Sequence, residues 1–514
     1  MVGGRVGAAG TSHGDQGDNG QVLGSSNSNI GELAARRRRR IWTGVGAGLV
    51  VVVAAAAVVL VTVKPWTEEF RHGGLKIAAP PAPVKPIAQV APAPPSAPEP
   101  SPAGLAAALG PAVTNPDLGG FSGSVTDAET GTVLWSADPD KPVIPASTAK
   151  VLTAAAALLV LPAEQRVATR VVAGANPNEL VLVGGGDPTL TAQAEGKGYY
   201  PNGPRLSDLA NQIRTASHGI DTIVVDTSLY TGPGWPAGWD PVDIAGGSWA
   251  PIEPVMIDGG RLDPLVEYSP RTPTPALDAG RRLAMDLGLD PAKVHAGRAP
   301  AGAAEIARVQ SAPLRDRLRD MMVHSDDVLA ESIGREIAAV TGGEQSFAGA
   351  AAATRTALEV AGFDTTGLTL LDNSGLSTDD RIPARLLDRV LTVAAAPQPG
   401  AVGERAGGTL TSAVNSGGSL ASGSPLAPLL DYLPVAGGSG SLAGRFVTPR
   451  DHGGAGWVRA KTGTLSVSSA LAGYVLDSDG RVLTFALMSN DRPPEASRPA
   501  LDVIAATLRN CGCR

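Results

Sequence analysis

Ser147 and Lys150 stand three residues apart in Pro145-Ala146-Ser147-Thr148-Ala149-Lys150, at the start of an uncharged run from Val151 to Leu161. On a helix, residues three apart share a face one turn apart, so the lysine amine can reach the serine hydroxyl. A serine is a poor nucleophile until a base takes its proton, and a neutral amine can do so. A helix N-terminus favours the negative charge that then develops. The chemistry open to this pair is acyl transfer through a serine ester. The same residues also describe a capping serine and a solvated lysine, so partners elsewhere in the chain must decide.

Two candidate partners follow in order. Ser325-Asp326-Asp327 interrupts two stretches with helical spacing, Leu314 to Val323 and Val328 to Val340, and a polar break between helices can present side chains into a cleft. Ser325-Asp326 serves equally well as an N-cap. Lys461-Thr462-Gly463-Thr464 runs into alternating segments around Leu471 to Leu476 and Val482 to Leu487, joined at Asp477-Ser478-Asp479-Gly480. That pattern predicts an antiparallel meander, with a last helix from Ala496 to Leu508 packing back on it.

The elements that must position these residues are legible on either side. Phe121 to Thr126 and Thr132 to Ser136 flank the turn-rich Asp127 to Gly131 and predict a hairpin leading into the Ser147 helix. Between about 166 and 305, Glu179 to Val183 and Thr222 to Asp226 read as strands, and Leu206, Leu209, Ala210 and Ile213 as one helix face. The region looks like an inserted α/β unit without chemistry of its own. Its Gly184-Gly185-Gly186-Asp187-Pro188 lacks the Lys-Ser/Thr of a phosphate loop and reads as a glycine turn. A further helix is expected from Pro383 to about Ala396.

At 514 residues the chain is too long for one core. A net charge of -7 with one short basic cluster argues against nucleic acid as a main partner. Six His and two Cys show no zinc spacing, so neither a metal nor another cofactor is expected. Cys511-Gly512-Cys513 can oxidise within itself or between chains, and is expected to be a frayed end.

The N-terminal part has a different organisation. Residues 1–40 are rich in Gly, Ser and Asn and end in Arg36 to Arg40, which predicts a disordered tail. Ile41 to Val63 is 23 residues without a charge, about 34 Å of helix and enough to span a bilayer. Five arginines on one flank place the tail in the cytoplasm and everything after the helix outside the membrane. No small-x-small cleavage site follows Val63 directly, so an uncleaved signal-anchor is expected. Residues 64–104 form a Pro/Ala-rich linker; ten of the twenty-five residues from Ala78 to Pro102 are proline, which favours an extended tether of up to about 75 Å.

Taken together, Ser147-x-x-Lys150, Ser325-x-Asp327 and Lys461-Thr462-Gly463, in that order on a helix start, an interhelix loop and a strand, resemble the motifs of the penicillin-recognising serine hydrolases. The long insert after the first motif is similar to the class C low-molecular-mass penicillin-binding proteins, the D-alanyl-D-alanine carboxypeptidases of the S13 type. So are Leu180 to Leu190, Asp372 to Ser377, Leu433 to Gly437 and Gly440 to Phe446.

The resemblance covers roughly residues 105–510. It implies an α+β transpeptidase-like domain, an antiparallel sheet flanked by helices, made discontinuously from 105–165 and 306–510 with the insert at 166–305. It implies an acyl-enzyme on Ser147 with Lys150 as base, Ser325 relaying the proton, and the Ser147 and Thr464 N–H groups as oxyanion donors. Lys461 and Thr462 would then hold the substrate's terminal carboxylate, with Asp327 and Gly463 completing the binding site. The implied substrate is a peptidoglycan stem peptide ending in D-Ala-D-Ala, with β-lactams as covalent inhibitors and endopeptidase action as an added activity. A β-lactamase or esterase using the same serine, and a weakly active peptidoglycan-binding scaffold, are the alternatives. One departure matters: the family pattern has Asn where this chain has Asp327, and an ionised Asp can accept hydrogen bonds but not donate them.

Overall fold

The computed structural model of the chain describes residues 52–65, 97–194, 197–396 and 424–514. It divides into two compact units, Met1–Val90 and Ala91–Arg514. In the first, residues 52–63 form an exposed α-helix. Among the described residues no helix is long and apolar enough to cross a membrane. The expected span begins at Ile41, and its residues 41–51 lie outside the described residues, as do the tail and most of the linker.

The second unit opens with α1 (Pro102–Val113), the strands β1 (Gly120–Asp127), β2 (Val133–Ala137) and β3 (Pro142–Val143), and α2 (Lys150–Val160). The insert supplies β4 (Ala168–Ala173), β5 (Glu179–Val183), α3 (Leu206–Ala216), β6 (Thr222–Asp226), α4 (Pro275–Leu287), β7 (His295–Ala296) and β8 (Glu305–Gln310). The chain then forms α5 (Leu314–His324), α6 (Asp327–Val340), α7 (Phe347–Val360), β9 (Ile382–Pro383) and α8 (Ala384–Ala395). It ends with β10 (Arg459–Leu465), β11 (Ser468–Leu476), β12 (Val482–Asn490) and α9 (Pro494–Asn510).

The main sheet runs β10-β11-β12-β1-β2, all antiparallel. The expected meander and hairpin are both present, and what joins them is the pairing of β1 with β12 from opposite ends of the chain. Side chains alternate between the two faces, as a pleated strand requires. Ala470, Ala472, Ala486 and Met488 face a core shared with α2, α5, α6, α7 and α8. Leu471, Val475, Leu483, Phe485 and Leu487 face a second core shared with α1 and α9. Small residues on the first face let helices come close, and α2 is buried all round, with Val151 to Ala157 at no measurable exposure beyond Thr153's 1%. On α8, buried Asp388 accepts the hydroxyls of Ser124, Thr126 and Thr484 at 2.6, 2.6 and 2.7 Å, tying the helix to β1 and β12.

The insert has its own sheet, β7-β6-β5-β4-β8, and its own core against α3 and α4. Strands β5, β6 and β7 are parallel, while β4 pairs antiparallel with β5 and β8. Because β4 and β8 are neighbours, the inserted chain leaves and re-enters the larger fold at one place.

One expectation fails here. The C-terminal tail is not frayed. Cys511 and Cys513 are joined in a disulfide, and Cys511 is 3% exposed within the core under α1. The tail is also held by backbone bonds, Ser101 N–H to the Cys513 carbonyl at 2.7 Å and Ser478 N–H to the Cys511 carbonyl at 3.1 Å. Sequence position suggested an end; the buried apolar contacts decided otherwise.

Candidate active site

The Ser147 turn is tighter than an α-helix start. Residues Ala146–Ala149 form a 3-10 turn that passes into α2 at Lys150, and Ala146 takes a left-handed φ of 47°. A non-glycine residue held there is a local strain kept in place by its surroundings. The Thr148 hydroxyl closes the turn on the Pro145 carbonyl at 2.6 Å. Lys150 is fully buried, and its Nζ donates to three acceptors: Ser147 Oγ at 3.0 Å, Asp327 Oδ1 at 2.5 Å and the Ser374 carbonyl at 2.8 Å. Three donors meet three acceptors, so the ammonium is fully satisfied.

The second motif lies between α5 and α6. Ser325 ends α5 in the left-handed conformation (φ 57°, ψ 36°), Asp326 is the N-cap of α6 through its bond from Leu329 N–H at 2.9 Å, and Asp327 is the first residue of α6. The cap is therefore Asp326, which leaves Ser325 free to turn into the cleft. Its Oγ accepts from Lys461 Nζ at 2.8 Å. Lys461, also fully buried, has its second contact with the Thr462 carbonyl at 2.9 Å. The site thus holds two serine–lysine pairs, Ser147 with Lys150 and Ser325 with Lys461.

The third motif is on β10, the edge strand of the main sheet; Val435 bridges Arg459 and the Pro434 carbonyl takes the Ala460 N–H at 3.0 Å, so it is the outer side past Ala460 that can pair with a further extended chain. Gly463 has a steric reason: a Cβ there would lie 2.5 Å from the Pro145 carbonyl oxygen and 3.1 Å from Ala146 Cβ. Only glycine lets β10 pass this close behind the Ser147 turn. Thr462 donates to Ser441 Oγ at 2.6 Å, and Arg498 on α9 donates to Thr464 Oγ1 at 3.2 Å.

A fourth segment completes the wall. The Asp372 carboxylate accepts the N–H groups of Ser374, Gly375 and Ser377 at 3.0, 2.6 and 2.8 Å, and the Trp239 indole N–H at 2.8 Å. This folds the loop so that the Ser374 carbonyl faces Lys150. Gly375, at φ 78°, passes so near Ala146 that a Cβ would lie 2.0 Å from that residue's carbonyl oxygen. Glu331 accepts the Asn373 N–H at 2.7 Å.

Burial dominates the electrostatics. It pushes the Asp327 carboxyl above its usual range, with Lys150 pulling the other way. Burial, then the nearby charge of Lys150, pushes the Lys461 ammonium well below its usual range, and Asp327 opposes this. Although Asp326 is buried, Arg261 first and then Arg271 hold its carboxyl well below the ordinary value.

All eight residues singled out in the sequence fall in three segments that this geometry brings together. Sequence reasoning missed others. Ser374 and Ser441 lay in stretches noted for family likeness only. Trp239, Tyr200 and Arg261 come from the insert, whose sequence shows no chemistry of its own, and Arg498 comes from the last helix. No local pattern marks these residues, because their partners are remote in sequence.

An antiparallel sheet between two helical layers, with a buried Ser-x-x-Lys turn facing a second serine and an edge-strand lysine, defines the penicillin-binding-protein/β-lactamase-like class of serine hydrolase. Within that class, the model of the D-Ala-D-Ala carboxypeptidase 3 (S13) family matches residues 105–272, 264–402 and 410–510, and the chain belongs to this family. It is 48% identical over 440 residues to a carboxypeptidase of Mycobacterium tuberculosis, covering 85% of this chain and 90% of that one. It is 47% identical over 450 residues to carboxypeptidase DacB of Mycolicibacterium smegmatis, covering 86% and 92%. Among solved structures, penicillin binding protein 4 of Haemophilus influenzae matches the fold with a TM-score of 0.59 at 20% identity, over 78% of this chain and 97% of that one.

Proposed function

We propose that the protein is a serine-type D-Ala-D-Ala carboxypeptidase that acts on peptidoglycan stem peptides through an acyl-enzyme on Ser147. The observation that carries this is the buried Lys150 amine 3.0 Å from Ser147 Oγ, with Ser325 and Lys461 paired across the same cleft.

Lys150 takes the Ser147 proton as the oxygen attacks the carbonyl of the penultimate D-Ala. The backbone N–H groups of Ser147 and Thr464 hold the oxyanion, each such donor being worth about 3 kcal/mol. Ser325 passes the proton to the departing amine, D-Ala leaves, and water then hydrolyses the ester. The stem peptide lies along the open edge of β10, with its terminal carboxylate against Lys461 and Thr462. Lys150 acts as a base only once it has given up a proton. The Asp327 carboxyl, 2.5 Å away and raised by burial, can carry that proton. Asp327 is then a donor, as an amide in its place would be. A β-lactam presents a comparable carboxylate and a strained ring amide in place of the scissile bond, and acylates Ser147.

We place this domain outside the membrane, tethered by Ile41 to Val63, on the strength of the uncharged run and the five arginines before it. A labelled penicillin should mark the wild-type chain and not Ser147→Ala, and D-Ala should be released from a pentapeptide by the former alone. Equal marking of both proteins overturns the assignment.

A further inference from the structure

Among the described residues, the insert's hydrogen bonds to the second motif fall on the carboxylate of Asp326. Its Oδ2 accepts the Tyr200 hydroxyl at 2.6 Å and Arg261 Nη2 at 3.0 Å, while its Oδ1 caps α6. Arg261 also donates to the Tyr200 oxygen at 3.1 Å and lies over the Tyr199 ring, 3.5 Å from its centre. The three polar groups are buried, with the Arg261 and Asp326 side chains 2% and 1% exposed. Gly259, at φ 61°, makes room: a Cβ there would lie 2.8 Å from Arg261 Nη1 and 2.9 Å from the Tyr200 oxygen. Arg271 holds the Gly259 carbonyl at 2.6 Å, which fixes the backbone behind the cluster.

Asp326 sits between the two residues of the motif that face the cleft. Ser325 occupies a left-handed conformation that a serine does not adopt on its own account, so the neighbouring structure must hold it there. A planar guanidinium forked between a carboxylate and a phenol, and stacked on a second ring, is a rigid anchor of the kind a lysine cannot reproduce.

We infer that Arg261 and Tyr200 are positioning residues for the acylation step: by clamping Asp326 from the insert they hold the adjoining Ser325 on Lys461. The insert is on this account part of the catalytic machinery's support. This rests on the active-site reading given above.

The test measures acylation by a labelled penicillin at several concentrations, which separates the acylation rate constant from the affinity of the preceding complex, together with thermal melting. Arg261→Met should lower the rate constant by 10- to 100-fold with affinity changed less than threefold, at a temperature well below its melting point. Arg261→Lys should recover only part of the loss, and Tyr200→Phe should lose about fivefold. In a Ser325→Ala background, Arg261→Met should cost less than threefold, because the group it positions is gone. A merely structural brace would give the same loss in both backgrounds, and that result overturns the inference, as does a wild-type rate constant in Arg261→Met. If Arg261→Met does not fold, Tyr200→Phe decides alone, an unchanged rate constant refuting the clamp. A wild-type chain that is not labelled at all is a different outcome and refutes the active-site reading itself.

Discussion

Gly463→Ala puts the geometry of the site to a direct test, because it adds one methyl group and no chemistry. The added Cβ would sit 2.5 Å from the Pro145 carbonyl oxygen, 3.1 Å from Ala146 Cβ and 3.2 Å from Ala470 Cβ, where ordinary contact starts at 3.4 Å. The two backbones must therefore separate by about 0.9 Å. Neither can yield easily: Gly463 is paired with Ala470 on β11, and the Ser147 turn is held by the Thr148–Pro145 bond and by Lys150. That separation opens the space between the Ser147 and Thr464 N–H groups, to which we assign the oxyanion. A misplacement of about 1 Å costs on the order of 100-fold in rate, about 2.7 kcal/mol. Overpacking of this kind costs roughly 1–3 kcal/mol of stability. The expected result is a protein that melts cooperatively a few degrees lower and is acylated about 100-fold more slowly, measured by stopped-flow labelling with a fluorescent penicillin. An acylation rate within threefold of wild type would falsify the claim that β10 and the Ser147 turn jointly form the pocket.

Three further outcomes are expected. Asp327→Asn should keep or raise turnover on a pentapeptide, by up to about tenfold, since the amide donates at any pH whereas the carboxyl donates only while it is protonated; the advantage should widen as pH rises and the wild-type carboxyl ionises, and a tenfold fall in kcat refutes the reasoning. Because Lys461 is held well below the usual lysine range, it loses its charge as pH rises, so the affinity for a penicillin should weaken with pH while that for its methyl ester stays level; equal pH profiles for the two would contradict the carboxylate assignment. Burial, then the neighbouring Asp372, pushes Asp380 up to about 10 from its ordinary 3.8. The folded state keeps a proton that the unfolded chain loses above pH 3.8, so this residue's contribution to stability falls as pH rises towards 10. Asp380→Asn should melt above wild type at pH 9 by more than at pH 5, and a constant difference across that range argues against a raised carboxyl.

The local elements of this protein were legible before the fold was known. The hairpin at β1 and β2, the paired helices α5 and α6, the β10–β12 meander and the last helix all follow from period-2 and helical spacing, which are properties of neighbouring residues. The three motifs could be read for the same reason, each being a few residues long with a chemistry of its own. The resemblance they carry points to the family to which the chain belongs.

What no local pattern contains is the set of distances between the motifs. Ser147 and Ser325 come together because β1 pairs with β12 and because α2 is buried against α6, contacts set by the packing of both cores. The burial that raises Asp327 and lowers Lys461 exists only after that packing, so sequence could name the residues but not their charge. It was also the tertiary structure that turned a tail into a disulfide-closed part of the core and gave the insert a hold on Asp326. Residue types and their spacing determined which chemistry was available to this chain. The long-range contacts decided which groups meet, how dry they are, and hence which of them can give or take a proton.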